Sequence, residues 1–203
     1  MNVDEFEWAL DWIEPRSRVL DLGCGNGRFL AHLRNTREVQ GYGLEISIDN
    51  ICQCLAAGVN VIKADLNQGL GSFDTDAFDT VFLLQTLQAV RYPEALLNDM
   101  LRVGKEGIVA FPNFGYWRNR LLLGLGGTMP VTSNLPAQWY ETDNIHLFTL
   151  SDFEKLCLKN SIQIVSRILL DSRNQISSSA GLWPNMLGST AMYRLRRSRE
   201  PMK

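Results

Sequence analysis

The chain has 203 residues, 45% hydrophobic and 21% charged, with a formal charge of −2 from 20 basic and 22 acidic side chains. That length and composition suit one α/β domain with a full core and exclude a disordered or collagen-like chain. The near-neutral balance offers no global attraction to phosphate, which speaks against nucleic-acid binding. The opening MNVDEFEWALDWIEP is acidic and aromatic, with neither a basic nor an apolar signal region, and no apolar run approaches the ~20 residues of a membrane span. A cytoplasmic protein without membrane contact is expected.

The elements alternate. Residues 2–13 set Phe6, Leu10 and Ile13 on one face of a short amphipathic helix that Pro15 stops. Residues 18–22 (RVLDL) form a first strand that breaks at glycine, and 27–34 have helical spacing. Residues 39–45 read as a second strand, 48–57 as a helix ending before Gly58, and 59–64 as a third strand. A fourth strand spans 78–84, a helix follows from about Pro93 to Arg102, and 107–111 form a fifth strand. Such apolar strands separated by helices read as a parallel sheet covered on both faces. Residues 113–149 lose the rhythm and read as a cap or lid inserted in a single domain of residues 1–203. A helix over 151–160 is expected to start with a capping box of Ser151 and Glu154. Two last strands, 162–170 and 191–195, flank the polar loop SRNQISSSAG.

Four cysteines are too few for a disulfide framework in a chain this long. Cys52 and Cys54 diverge on a helix, and the two histidines, His32 and His146, have no ligand-like neighbours. No metal site is expected. The basic cluster Arg194, Arg196, Arg197 and Arg199 reads as a solvated tail.

The strongest chemical signal is VLDLGCGNGRF, residues 19–29. Glycines at 23, 25 and 27 between a strand and a helix allow positive φ and let a ligand lie against the backbone. Asp21, inside the strand, would repel a pyrophosphate, so a ligand with a cationic group fits better than a dinucleotide. Glu45 ends the second strand, where a carboxylate can accept from both hydroxyls of a ribose. Asp65 follows the third strand. All three acids fall at carboxyl ends of parallel strands, the edge where open α/β sheets bind ligands.

On these residues the chain resembles the class I S-adenosylmethionine-dependent methyltransferases. The resemblance implies a Rossmann-like seven-stranded, mostly parallel sheet with helices on both faces and an antiparallel last strand. It implies that Asp21 and the loop Gly23, Cys24, Gly25 and Gly27 hold the methionine part of S-adenosyl-L-methionine, and that Glu45 holds the ribose. Ile46 would pack on the adenine, Asp65 and Leu66 would lie beside its amine, and Gln85 would face the transferable methyl. The runs WIEPRSRVLDLGCGNGRFL, GYGLEIS, QTLQA, FPNFG and NIHL look more narrowly like the MetW family of methionine biosynthesis proteins, from which the chain departs at Ala110 and Tyr116.

Methyl transfer from a sulfonium needs positioning and a dry pocket, with a base only where the acceptor must lose a proton. Candidates near such chemistry are His146, Tyr116 and Gln85, of which glutamine can only orient. Phe114, Trp117 and Trp139 could close an apolar lid. Two functions remain open: a small-molecule methyltransferase, or a non-catalytic or regulatory protein on the same scaffold, for which the resemblance implies homoserine O-acyltransferase as partner. Nucleic-acid methylation is disfavoured, since the fourth strand runs into LLQTLQ rather than the Pro-Pro-aromatic motif of base methyltransferases.

Overall fold

In the computed structural model, residues 3–177 and 179–198 are described. The strands are β1 (Arg18–Leu22), β2 (Gln40–Glu45), β3 (Asn60–Lys63), β4 (Phe78–Leu84), β5 (Gly104–Pro112), β6 (Ile162–Leu170) and β7 (Thr190–Arg197). They form one sheet in the order β3-β2-β1-β4-β5-β7-β6. β1 to β5 pair in parallel, and β7 runs antiparallel to both β5 and β6. The expected seven-stranded architecture with an antiparallel last strand is therefore present.

The helices are α1 (Arg28–Arg37), α2 (Ile48–Ala56), α3 (Pro93–Val103), α4 (Trp117–Gly124), α5 (Leu150–Lys159) and α6 (Pro184–Leu187). Side chains alternate across the sheet, so its central strands feed two cores. Leu20, Leu22, Leu83 and Phe111 pack with Leu97 and Met100 of α3 and Phe153 of α5. Val19, Phe82, Leu84 and Ile108 pack with Phe29 and Leu33 of α1 and Cys54 of α2. β1 and β4 are buried on both faces, whereas the edge strand β3 is largely exposed. This double cover leaves the carboxyl rim of the parallel strands as the place where loops can shape a site.

Several local expectations are corrected. Residues Val3–Trp12 form a 3-10 helix rather than an α-helix, burying Ala9, with Ile13 buried just beyond its end. The side chain of Phe6 lies outside the described residues. The capping box of α5 is Thr149 with Asp152, not Ser151 with Glu154, because Thr149 is the last extended residue and Leu150 is already helical. Glu154 is instead taken by Arg167 and by the Tyr193 hydroxyl.

The basic cluster is no solvated tail. Arg194 and Arg196 extend β7, where both pair with Glu106 of the neighbouring β5, and Arg197 donates to the Leu101 carbonyl. Cross-strand partners are invisible to a reading along the chain, which sees only a run of like charge. Arg199 lies outside the described residues. The region 113–149 carries α4, whose single buried residue is Asn119. With leucines exposed around it, that helix lacks the apolar stripe by which a surface helix is ordinarily read.

Candidate functional site

β1 lies between β2 and β4 and delivers Asp21 to the rim with 3% of its surface exposed. The chain then turns through Gly23, Gly25 and Gly27, all at positive φ, before α1 opens at Arg28. The glycines do different things. A Cβ on Gly23 would sit 2.8 Å from the Thr86 hydroxyl, so the loop is pressed against the turn after β4. A Cβ on Gly25 would meet nothing within 4 Å. The backbone at Gly25 thus borders open space, as a ligand cradle requires.

Glu45 ties β2 to this loop. Its Oε2 accepts the Gly25 N–H at 2.8 Å, and its Oε1 accepts the N–H groups of Ile46 and Ser47 at 2.9 and 2.8 Å. Three of roughly four acceptor positions are occupied, leaving room for one further donor rather than the two that the sequence suggested. Asp21 stands in contrast: its Oδ1 is buried with no hydrogen-bond partner. Burial, and secondarily the charge of Glu45, pushes the Asp21 carboxyl up to about 7.

Beneath the loop sit two thiols. Cys54 of α2 donates to the Gly25 carbonyl at 3.2 Å, and its sulfur lies 3.9 Å from that of Cys24. Burial raises both thiols above the ordinary cysteine range, so they remain protonated packing groups. Cys52 is exposed, diverging from Cys54 as its position on the helix requires.

The flanking candidates spread along the rim. Ile46 is 58% exposed and offers an apolar surface beside Glu45. Asp65 caps a short 3-10 turn through Asn67, with Leu66 half-buried behind it, and Ala64 donates to the Glu45 carbonyl. Gln85 takes positive φ, with its N–H on the Ala110 carbonyl at 2.8 Å. Asp21, the glycine loop, Glu45 and the Gln85–Thr86 turn are therefore one cluster, with Asp65 at its edge.

Tyr116 and His146 stand apart from it. Tyr116 is buried at the start of α4 against Trp117, at a ring separation of 5.9 Å. The His146 side chain hydrogen-bonds to none of the cluster. Phe114 and Trp139 line a common apolar pocket of about 330 Å³, but Trp117 does not. The reading along the sequence missed Thr86, for which adjacency to Gln85 was the one signal.

A buried polar network also escaped it. Asn113, following β5, donates from Nδ2 to the carbonyls of Asn185 and Gly188 and accepts the Gly115 N–H on Oδ1. Asn119 donates to the Asn113 carbonyl and accepts from Thr132, while Asn134 reaches the Ser189 carbonyl. The start of the 113–149 segment is thereby pinned to α6 and to the residues that lead into β7. The FPNFG run was the visible trace.

Among the described residues no cluster of metal-ligating side chains occurs and no helix is long and apolar enough to cross a membrane. The sequence profile of the family described as methionine biosynthesis protein MetW matches residues 3–195. The bifunctional methionine biosynthesis protein MetXA/MetW of Rhodopirellula baltica is 35% identical over 206 residues, covering 97% of this chain. The chain spans about a third of that relative's length. Among solved structures, an S-adenosylmethionine-dependent methyltransferase of Archaeoglobus fulgidus has a TM-score of 0.70 at 15% identity, over 95% of this chain and 91% of that one. One from Mesorhizobium loti has 0.68 at 17% identity, over 97% and 100%. At such identities the likeness is one of fold.

Proposed function

The chain belongs to the MetW family of methionine biosynthesis proteins, and from that premise we propose that its sheet rim binds S-adenosylmethionine in the service of that biosynthesis. One observation carries the reading. A buried carboxylate oxygen without a partner, on Asp21, stands at the base of a glycine loop whose Gly25 borders open space. A buried group of that kind is a place for a donor or a cation to arrive. The cofactor, when bound, supplies a methyl group on a positively charged sulfur.

The residues divide the work. Asp21 offers the counter-charge, and the backbone from Gly23 through Cys24 and Gly25 to Gly27 receives the methionine portion. Glu45 keeps one acceptor position for a ribose hydroxyl while holding Gly25, Ile46 and Ser47 in place. Ile46 gives the adenine an apolar face, Asp65 and Leu66 lie on its amine side, and Gln85 faces the methyl side. In this reading the protein transfers methyl groups to a small molecule. Calorimetric titration with S-adenosylmethionine is expected to show saturable binding that Glu45→Ala weakens by about 1.5–3 kcal/mol. No heat of binding in the wild type removes the reading.

A second reading, a non-catalytic partner of homoserine O-acyltransferase, is favoured by two observations. The Rhodopirellula relative carries both names in one chain. The lid helix α4 also exposes Leu121, Leu122 and Leu123, followed by Leu125, and contiguous apolar surface of this sort marks contact sites. Mixing the two purified proteins distinguishes the readings. A complex that Leu122→Asp weakens supports the partner; methyl label reaching a metabolite, with no complex, supports the enzyme.

A further inference from the structure

A second space in the molecule is chemically particular and is lined by residues other than those of the cofactor cluster. We propose that it binds a small neutral molecule with an aromatic or branched apolar body and a single hydroxyl or N–H group, which His146 receives. The space measures about 360 Å³, within the range of ligand pockets. Leu87 from the turn after β4, Pro93 at the start of α3, and Phe153 and Leu156 of α5 form its walls; His146 and Phe148 close it.

The closing strap is held firmly. Ile145 and His146 both donate their N–H groups to the Gln88 carbonyl, at 2.9 and 3.0 Å, and the Phe148 carbonyl accepts from Phe114 at 3.1 Å. The imidazole so positioned is unsatisfied, because its Nε2 is buried and has no hydrogen-bond partner. The other polar side chain on the lining is Asp152, whose Oδ2 accepts from the N–H and hydroxyl of Thr149 and which is exposed to water, unlike the buried Nε2 of His146. His146 is therefore the buried group on the lining with capacity to spare.

The chemistry of the occupant follows. An imidazole nitrogen donates or accepts, and a hydroxyl supplies whichever partner is missing. A purely apolar occupant would leave Nε2 as it is, while an ion would shed its hydration against apolar walls. The rings of Phe148 and Phe153 suit an aromatic body. None of these residues is among those proposed to hold the cofactor, although Leu87 follows Gln85 and Thr86 in one turn and the Gln88 side chain donates to the Gln85 carbonyl.

The chain has two histidines, His32 and His146, which makes imidazole NMR of histidine-labelled protein a direct readout. The probes are 4-methylphenol and toluene, which share a body and differ by the hydroxyl. The expected result is a saturable shift of the His146 signals with 4-methylphenol, His32 unmoved, and several-fold tighter binding of 4-methylphenol than of toluene. His146→Phe abolishes that preference and retains toluene; Leu156→Trp, which fills the space, removes both. Should His146→Phe fail to fold, the labelled wild type and Leu156→Trp still decide. An unmoved His146 signal, equal binding of the two probes, or binding indifferent to Leu156→Trp overturns the proposal.

Discussion

Asn113 and Asp21 are both buried polar side chains at the carboxyl rim of one sheet, and their surroundings serve them in opposite ways. Asn113 spends its side-chain amide on two carbonyls and an N–H, and its backbone carbonyl on Asn119. Asp21 keeps a buried oxygen with no partner and bears the like charge of Glu45 nearby. The difference separates two uses of buried polarity. A saturated network fixes structure, in this case the 113–149 segment against α6 and the link into β7; an unsaturated one lowers stability and is retained where a ligand completes it.

Substitutions can break that comparison. Asn113→Ala strands the Asn185 and Gly188 carbonyls and the Gly115 N–H, so urea unfolding is expected to show a loss of about 3–5 kcal/mol. Binding of S-adenosylmethionine by the folded fraction is expected to be unchanged. A loss below about 1 kcal/mol would mean that water replaces the amide and that the network is not structural.

Asp21→Asn should act in the other direction. Raised to about 7 when folded, the Asp21 carboxyl holds its proton more tightly in the native than in the unfolded chain. Native stability therefore falls as pH rises from the unfolded carboxylate value toward 7, by up to about 4 kcal/mol. Removing the charge is expected to stabilise the protein by about 1–3 kcal/mol above neutrality and to leave it unaffected near pH 4. Denaturant titrations at the two pH values check the sign. A variant less stable at high pH would show that the orphaned oxygen has a structural partner.

The smallest effect belongs to the network's edge. Asn134 contributes one donated bond to the Ser189 carbonyl and shares the single Thr132 hydroxyl proton with Asn119. Asn134→Ala is expected to cost about 1 kcal/mol in the same unfolding assay, and a loss matching that of Asn113→Ala would erase the distinction between hub and rim of the network.

The sheet was legible in the sequence because alternation and turn glycines report burial directly: Arg18–Leu22, Phe78–Leu84 and Ile162–Leu170 fall where period and composition put them. Asp21, the glycine loop and Glu45 were legible too, since each sits at a strand end. What stayed hidden depends on partners distant in the chain. Arg194 and Arg196 look like a tail until β7 is laid beside Glu106 of β5. Asn113 looks like an ordinary turn asparagine until Gly188 is brought to it. The 3-10 character of Val3–Trp12 shares its apolar spacing with an α-helix over so short a span, and α4 has no stripe to read.

The most direct measurement is the affinity for S-adenosylmethionine, by calorimetry, at about pH 6 and at about pH 7.5. If Asp21 must give up its proton to face the cation, binding tightens several-fold over that interval, and Asp21→Asn binds weakly at both values. Equal affinity at the two pH values, with the variant binding as well as the wild type, would contradict the assignment of the rim.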